Sequence, residues 1–217
     1  IDTGYESGFA HFKKQLAKMQ IAPQQIRYIF LTHAHDDHAG YLNEVLSECP
    51  DLQIVMSDKA LERLYKGQNS FHGGCTTKIA LFFCYLMKFV GKGKHLFPSI
   101  KQEYQCRCIQ VTEQNRKQVE LLLQGKIIDT PGHTSDSISL LLNDGSLFCG
   151  DAAMNGLPSL HRITIWAEDK TAFLKSWETI IALRPNLIYP GHGKPFKDED
   201  LKINLKRAKN MKLLPIQ

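Results

Sequence analysis

The sequence predicts an α+β fold in which β-sheets are covered by helices, and two observations favour it. Short β-branched and aromatic runs, such as 28–31 and 53–56, alternate with segments of helical periodicity, such as 9–19. Histidine and aspartate side chains also recur directly after apolar strand-like runs. Such alternation favours sheets flanked by helices. At 217 residues, the chain is predicted to be a single domain, 1–217, with a substantial core.

The other elements follow from the same periodicities. Further helices are predicted at 39–49, at 59–65, from Asp169 onward and at 198–212. Strands of a second sheet are predicted at 117–123, 127–128, 138–142 and 147–148. Asn143-Asp144-Gly145 predicts a hairpin turn between the last two strands, because Asp-Gly supplies the positive φ that such turns need.

The stretch Thr32-His33-Ala34-His35-Asp36-Asp37-His38-Ala39-Gly40 lies between a predicted strand and a predicted helix. Four of its side chains are of metal-binding type: His33, His35, Asp37 and His38. His33 and His35 can point the same way from an extended segment. The adjacent Asp37 and His38 leave the backbone in different directions and can reach a second position nearby. One turn of this kind can hold two metal ions. A polar loop that is rich in His and Asp by chance is the alternative interpretation.

Three further motifs each follow an apolar strand, in a turn marked by Gly or Pro. They are Pro131-Gly132-His133-Thr134, Cys149-Gly150-Asp151 and Tyr189-Pro190-Gly191-His192-Gly193. Loops at the ends of strands are where a rigid sheet presents catalytic groups. A single such histidine is more often structural than a ligand. Together with the first motif, however, the three favour a metal site.

Taken in order, His-x-His-x-Asp-His, Gly-His-Thr, Gly-Asp and Gly-His-Gly resemble the motifs of the metallo-β-lactamase superfamily. Ile1-Asp2-Thr3-Gly4 resembles that family's opening motif, so the match extends from the first residue to His192. The resemblance implies a four-layer αββα sandwich of two mixed β-sheets flanked by helices. Members normally carry one or more strands before the opening motif. We therefore expect a fold that lacks these first strands, or strands that lie upstream of Ile1.

The resemblance also implies a ligand set for two metal ions. The first ion would be bound by His33, His35 and His133, the second by Asp37, His38 and His192, and both would be bridged by Asp151. True β-lactamases of the family usually lack the aspartate that is Asp37 here. The chain is therefore more similar to the glyoxalase II, lactonase and ribonuclease Z branches. Asp37 is also the catalytic candidate, as a weak acceptor of the nucleophile's proton.

Imidazole and carboxylate ligands suit Zn²⁺, and also iron or manganese. Two such ions about 3.5–4 Å apart can share a bridging water and lower its pKa toward neutrality, so that hydroxide attacks a carbonyl or phosphoryl group. The predicted function is that of a dinuclear zinc hydrolase. About twenty-five residues follow His192, which leaves no room for the glutathione-binding helices of glyoxalase II. No RNA-grasping arm is evident, so the expected substrate is a small ester, thioester or lactone.

Other functions stay open. These are a ribonuclease Z-like phosphodiesterase, an iron-dependent redox enzyme on the same scaffold, and a non-catalytic binding module, although the complete ligand set argues against the last. His161, Arg162 and Trp166 lie between two ligand motifs and are candidate substrate-binding residues. A purely structural role is the alternative for each of them.

A helical lid or insert is predicted at about 67–97, around the apolar run 79–90. Gly73-Gly74 precedes the run, and Gly91-Lys92-Gly93-Lys94 follows it. The run could wall the substrate pocket, form a homodimer contact, or pack as a core helix. Because nearly every face of it is apolar, we expect burial of some kind.

The composition, with 43% hydrophobic and 23% charged residues, is typical of a soluble enzyme. The net charge of +5 permits an anionic substrate but does not by itself indicate a nucleic-acid binder. We therefore expect a small-molecule substrate and no nucleic-acid partner. The six cysteines lack the density of a secreted disulfide framework, which favours reduced thiols and a cytoplasmic location. No apolar run is long enough to span a bilayer.

Overall fold

The structure is a computed structural model that describes residues 1–91 and 93–216. Lys92, in the predicted glycine–lysine tail, lies outside the described residues. The strands are β1 (Tyr28–Phe30), β2 (Gln53–Ser57), β3 (Gly74–Cys75), β4 (Cys108–Val111), β5 (Gly125–Asp129), β6 (Ile138–Leu142), β7 (Ser146–Gly150), β8 (Trp166–Ala167) and β9 (Leu187–Pro190). The α-helices are α1 (Phe9–Lys18), α2 (Leu42–Glu48), α3 (Ala60–Lys66), α4 (Lys78–Phe89), α5 (Arg116–Leu123), α6 (Lys170–Leu183) and α7 (Asp198–Asn210). Short 3-10 helices lie at Glu6–Gly8, Pro23–Gln25 and Gln102–Arg107.

The chain divides into two compact units. The first unit comprises Ile1–Asn69 and His95–Glu113, and the second comprises the described residues of Ser70–Lys94 and Gln114–Gln217. The single domain 1–217 with a lid at about 67–97 stays a prediction.

The first unit is built on a three-stranded sheet in the order β1-β2-β4, with both pairs parallel. Ile29 lies opposite Ile54, and Val55 lies opposite Ile109. Parallel neighbours need a crossover, which α2 supplies between β1 and β2. Apolar side chains of the helices and strands form one buried core, including Leu31, Val45, Leu46, Leu52, Ile54, Met56 and Leu64.

The second unit contains a four-stranded sheet in the order β5-β6-β7-β9. The first three strands are antiparallel, and β9 runs parallel to β7. The predicted hairpin turn joins β6 to β7, with Gly145 at φ +85°. Helix α6 buries Phe173 and Trp177 completely, and the Trp177 indole donates a hydrogen bond to the Ala152 carbonyl at 2.8 Å. A second, small antiparallel pair joins β3 to β8.

The predicted α+β fold class, with several sheets flanked by helices, is confirmed. Of the two sheets expected to be mixed, the sheet of the second unit is mixed, whereas the described strands of the first all run parallel. Among the helices that the structure describes, none has both the length and the apolar character needed to cross a bilayer.

The strand prediction at 117–123 is wrong, because these residues lie in α5. Lys, Gln, Glu and Leu all favour helix, and the helix buries Val119 while Leu121 stays 81% exposed. Arg116 Nη2 donates to both carboxylate oxygens of Asp129 in β5, at 2.8 and 2.9 Å, which fixes the start of α5 against that strand.

The apolar run 79–90 is helical, as predicted, but the expected burial is wrong. Side chains spaced three and four apart form an exposed stripe, which we call the α4 apolar face: Ile79, Phe82, Leu86 and Phe89. Phe82 is 71% exposed and Phe89 is 88% exposed. The helix is held from its other side, where Ala80 is buried, and by its N-cap Thr77, which accepts a hydrogen bond from the Ala80 amide.

Candidate metal centre

The first ligand motif folds as a tight turn between β1 and α2. The amides of His38 and Ala39 both donate to the His35 carbonyl, at 3.0 and 2.8 Å. The Gly40 amide donates to the Gly4 carbonyl at 2.8 Å, which ties the turn to the opening motif. A Cβ at Gly40 would lie 2.3 Å from the Glu6 backbone nitrogen, so this close approach requires glycine.

This turn gathers four side chains that we call the first half-site: His33, His35, Asp37 and His38. The ring centroid of His33 lies 4.6 Å from that of His35 and 4.1 Å from that of His38. The His38 Nε2 atom lies 3.7 Å from Asp37 Oδ1. The three histidines are at most 6% exposed, so their donor atoms converge in a largely dry environment.

Asp2 orients the first half-site. Its carboxylate accepts hydrogen bonds from the Thr32 amide at 2.7 Å and the Thr32 hydroxyl at 2.9 Å, and contacts His38 Nδ1 at 2.8 Å. A carboxylate can only accept, so His38 carries its proton on Nδ1 and leaves the Nε2 lone pair facing Asp37. Thr32 Oγ1, whose proton goes to Asp2, lies 3.0 Å from His33 Nδ1 and can accept from it in the same way.

Asp36 stabilises the turn from its other side. Its amide donates to Asn69 Oδ1 at 2.8 Å, and Asn69 Nδ2 donates back to Asp36 Oδ1 at 2.7 Å. His95 Nδ1 lies 3.3 Å from Asp36 Oδ2. These contacts occupy Asp36, the aspartate of the motif that is not a predicted ligand.

Tyr41 closes the turn within an aromatic cluster with Phe9 and Phe12, at centroid distances of 5.7 and 5.6 Å. Burial, and then the negative charge of Asp2, raise the pKa of Tyr41 from 10.0 to about 12. The phenol therefore stays neutral next to the half-site at ordinary pH.

Three side chains in the second unit form what we call the second half-site: His133, Asp151 and His192. They follow β5, β7 and β9 respectively, so three strands of one sheet present them. Asp151 Oδ2 lies 3.7 Å from His133 Nε2 and 3.6 Å from His192 Nε2. Asp151 is therefore central among the three. It is 5% exposed, whereas the His192 side chain is 34% exposed.

Backbone contacts fix the orientation of His133. Its Nδ1 lies 2.8 Å from the Trp166 carbonyl and 3.3 Å from Thr164 Oγ1. Because a carbonyl only accepts, His133 is protonated on Nδ1, and its Nε2 lone pair faces Asp151. Glu168 supports the same loop: its carboxylate accepts from the Ser135 amide at 2.7 Å, and its own amide donates to the His133 carbonyl at 3.1 Å.

The loop that carries His192 also depends on close backbone approach. The Asn155 amide donates to the His192 carbonyl at 2.8 Å. Gly193 has φ +100°, and a Cβ there would lie 2.1 Å from the Asn155 carbonyl carbon. Only glycine fits this position, which explains the second glycine of the Gly-His-Gly motif.

The spacing of donor atoms within each half-site fits a divalent metal. Three nitrogen-to-oxygen distances, from His38 to Asp37 and from His133 and His192 to Asp151, lie between 3.6 and 3.7 Å. These exceed a good hydrogen bond. Ligands at zinc–nitrogen and zinc–oxygen distances of about 2.1 Å in tetrahedral geometry are roughly 3.4 Å apart, close to what is observed. The Asp2 carboxylate and the Trp166 carbonyl, which accept from Nδ1 of His38 and His133, are also partners typical of metal-binding histidines.

The predicted substrate-binding residues lie among structural contacts of the second unit, and their role in binding stays a prediction. Arg162 pairs with Asp200 at 2.9 Å, and His161 contacts Arg207 at 2.7 Å. Trp166 donates its indole N–H to the His72 carbonyl at 3.1 Å. Trp166 contributes to the site through its backbone carbonyl, on which His133 depends.

Sequence reasoning missed the residues that orient the ligands. From the sequence, Asp2 is identified only as part of the opening motif, and no such role is predicted for Thr32, Glu168 or the Trp166 carbonyl. The sequence does carry one usable signal, since Asp2 is an acidic residue in a motif that precedes a histidine cluster. Nothing local in the sequence marks the backbone carbonyl of Trp166.

Comparison with known proteins gives a family match over most of the chain. The model of the metallo-β-lactamase superfamily matches residues 1–192, which include both half-sites. A β-lactamase-like protein 2 homologue from Drosophila melanogaster is 26% identical over 194 residues, covering 89% of this chain and 53% of that protein. The chain spans about half the length of the curated relatives that it matches.

Solved structures share the fold. TTHA1623, solved in a di-iron-bound form, has a TM-score of 0.61 at 19% identity, covering 94% of this chain and 84% of that one. The metallo-β-lactamase FIM-1 from Pseudomonas aeruginosa, solved in a mono-zinc form, has a TM-score of 0.60 at 18% identity, covering 96% and 76%. The His/Asp clusters and the family match together support a metal-dependent hydrolase in general terms. The chain belongs to the metallo-β-lactamase superfamily.

Proposed function

We propose that the chain is a dinuclear metal hydrolase of the glyoxalase II and lactonase-like branch, acting on a small ester, thioester or lactone. In this proposal the two half-sites act together, as the order of motifs in the family implies. His33, His35 and His133 would hold one ion, Asp37, His38 and His192 would hold the other, and Asp151 would be shared between them.

The observation that carries the proposal is the orientation of the histidines. His38 and His133 each have Nδ1 on an obligate acceptor, namely the Asp2 carboxylate and the Trp166 carbonyl. Each ring therefore presents an unprotonated Nε2 toward a carboxylate 3.7 Å away. A ring held only for structural reasons has no need of this arrangement in two separate units.

Divalent ions bound by these residues would supply Lewis-acid polarisation of the substrate and acidify a water molecule. The protein's own residues then have distinct tasks. Asp2 and the Trp166 carbonyl fix the rings, and the buried Asp151 supplies negative charge between two histidines. Asp37 is the accessible carboxylate, with its side chain 17% exposed, and can accept the proton that the attacking nucleophile loses.

The α4 apolar face is our candidate for the wall that receives an acyl group. Helix α4 begins three residues after β3, and β3 pairs with β8, where Cys75 lies opposite Trp166. The helix is thus connected to the strand whose Trp166 carbonyl orients His133. The exposed aromatic side chains of this face can pack against an apolar acyl group. A homodimer contact through 79–90 is the alternative use of the same face.

A phosphodiester substrate is the second candidate, because the segment 63–102 contains no Asp or Glu while it includes Lys78, Lys88 and Lys94. This charge pattern favours anionic groups. Zinc is the metal we propose, and iron or manganese would use the same donors. The di-iron form of TTHA1623 makes iron the first alternative to test, and with it a redox activity.

The proposal is tested by measuring hydrolysis of a thioester, a lactone, a phosphodiester and a β-lactam by protein reconstituted separately with Zn²⁺, Fe²⁺ and Mn²⁺. We expect the thioester or lactone to give the highest kcat/KM, and Asp151→Ala to abolish that activity. Preferential cleavage of the phosphodiester would support the second candidate function, a phosphodiesterase. Turnover that survives Asp151→Ala would reject the metal mechanism.

A further inference from the structure

Two thiols that are not among the candidate metal ligands meet in the second unit. Cys75 lies on β3 and Cys84 on α4, nine residues apart in sequence. The Cys75 thiol donates a hydrogen bond to Cys84 Sγ with 3.4 Å between the sulfurs. Both are thiols rather than halves of a disulfide, as are the other four cysteines.

The backbone holds Cys75 on two sides. Its amide donates to the Leu214 carbonyl and its carbonyl accepts from the Leu214 amide, both at 2.8 Å. Across β3 it lies opposite Trp166 of β8. Its side chain is fully buried. This sulfur therefore has a fixed position.

Cys84 is half-buried in the middle of α4, so it reaches Cys75 from the side and retains contact with solvent. The start of that helix is anchored by Thr77, two residues after Cys75. A disulfide has a sulfur–sulfur distance of about 2.05 Å, so the two atoms must approach by about 1.4 Å. Small rotations about the two Cα–Cβ bonds can provide this movement.

We propose that Cys75 and Cys84 are a redox-active pair that a low-molecular-weight disulfide oxidises to an intramolecular disulfide. The Cys84 thiolate attacks one sulfur of the small disulfide RSSR, forms a mixed disulfide and releases RS⁻, which takes up a proton. Cys75 Sγ then attacks Cys84 Sγ while its proton passes to the second RS⁻, which leaves as RSH. In sum, two protein thiols lose two electrons and two protons, and RSSR becomes two RSH.

The environment assigns the two roles. The hydrogen bond to Cys84, and then burial, raise the pKa of Cys75 well above its ordinary value, so Cys75 is poorly suited to attack a reagent in solution. Cys84 is the accessible sulfur and meets the oxidant first. Cys75 needs no access to solvent, because its step is intramolecular.

The disulfide would fasten α4 to β3. Because β3 pairs with β8, the fastened helix is connected to the strand that carries the Trp166 carbonyl. Oxidation would therefore restrict the motion of the α4 apolar face, whether that face contacts a substrate or a second copy of the chain. This consequence does not depend on the proposed hydrolase activity.

Peptide mapping tests the proposal directly. Trypsin cleavage after Lys66, Lys78 and Lys88 places Cys75 in peptide 67–78 and Cys84 in peptide 79–88. The intact protein is incubated with oxidised glutathione, its remaining thiols are alkylated, and it is digested without reductant. We expect the two peptides to be recovered joined, to separate on reduction, and to account for the loss of two of the six thiols.

Matched variants separate this pair from the other cysteines. Cys84→Ser and Cys75→Ser should each abolish the joined peptides, whereas Cys106→Ser, which removes an exposed cysteine, should leave them unchanged. Cys84→Ser leaves the buried thiol in place, so it keeps the test valid should Cys75→Ser fail to fold. Recovery of Cys84 as a stable mixed disulfide, or of both peptides alkylated, would overturn the proposal.

Hydrogen exchange tests the consequence for α4. We expect the amides of 79–88 to exchange at least about tenfold more slowly in the oxidised protein, and equally fast in the oxidised and reduced Cys84→Ser variant. Equal exchange in the wild-type protein before and after disulfide formation would show that the disulfide does not fasten the helix.

Discussion

Replacing Asp2 by Asn is expected to weaken metal binding without removing a ligand. Asp2 accepts from the Thr32 amide at 2.7 Å and contacts His38 Nδ1 at 2.8 Å through its other oxygen. An Asn side chain can still accept from the Thr32 amide, but its NH₂ group then faces the His38 N–H and cannot accept from it. His38 would lose the partner that fixes its tautomer and ring plane.

Loss of a hydrogen-bond acceptor that orients a ligating histidine typically costs 10–100-fold in metal affinity, or about 1.4–2.7 kcal/mol. We expect this loss for one of two bound ions, because the proposed ligand set assigns His38 to only one of them. The assay is a chelator competition titration of wild-type and Asp2→Asn protein, with thermal unfolding measured in parallel.

Asp51→Asn is the matched control, since Asp51 is a surface carboxylate whose side chain is 76% exposed. The control should bind metal as the wild type does. If Asp2→Asn binds both ions within threefold of the wild-type affinity, the carboxylate does not orient His38 for metal binding, and the inference from the 2.8 Å contact is wrong.

Three further predictions concern catalysis, the α4 apolar face and pH. Asp151→Ala should lower kcat/KM by more than about 100-fold and release metal, whereas Arg162→Ala should keep both ions; metal retention and near-normal turnover in Asp151→Ala would refute its bridging role. Phe82→Ala should change the free energy of unfolding by less than about 0.5 kcal/mol while lowering kcat/KM for long acyl chains relative to short ones. Trp177→Ala, at a fully buried position, should lower the free energy of unfolding by about 3–5 kcal/mol and leave the ratio of kcat/KM for long and short acyl chains unchanged. A large loss of stability in Phe82→Ala would refute the role of the α4 apolar face as a substrate wall. Because the pKa of Tyr41 is raised from 10.0 to about 12, its contribution to stability is complete below pH 10 and is lost as pH rises from 10 toward 12, by about 3 kcal/mol. Unfolding of Tyr41→Phe should therefore depend less steeply on pH in this range than unfolding of the wild type, and identical slopes would contradict the assigned shift.

Local sequence was enough to place the ligand-bearing loops. Each candidate ligand follows a strand, and the turn glycines Gly40 and Gly193 allow the backbone approaches seen in the structure. The pattern is local because a strand, a turn and a polar side chain are specified by neighbouring residues. The fold class followed for the same reason.

Contacts between residues distant in sequence could not be predicted in this way. Asp2 lies 36 residues from His38, and Trp166 lies 33 residues from His133, and neither spacing is a pattern that a single sequence reveals. The strand prediction at 117–123 is wrong because Lys, Gln, Glu and Leu favour helix, and α5 forms there. The expected burial of 79–90 is wrong because hydrophobicity alone does not distinguish a core helix from a helix with an exposed apolar face.

Metal content tests the central claim most directly. Protein freed of metal, reconstituted with Zn²⁺ and passed through a desalting column is analysed for metal per chain, beside the Asp151→Ala and Asp51→Asn variants. Seven side chains of ligand type in two half-sites predict two ions per chain for the wild type and for Asp51→Asn, with fewer for Asp151→Ala. One ion or none in the reconstituted wild-type protein would contradict the dinuclear account.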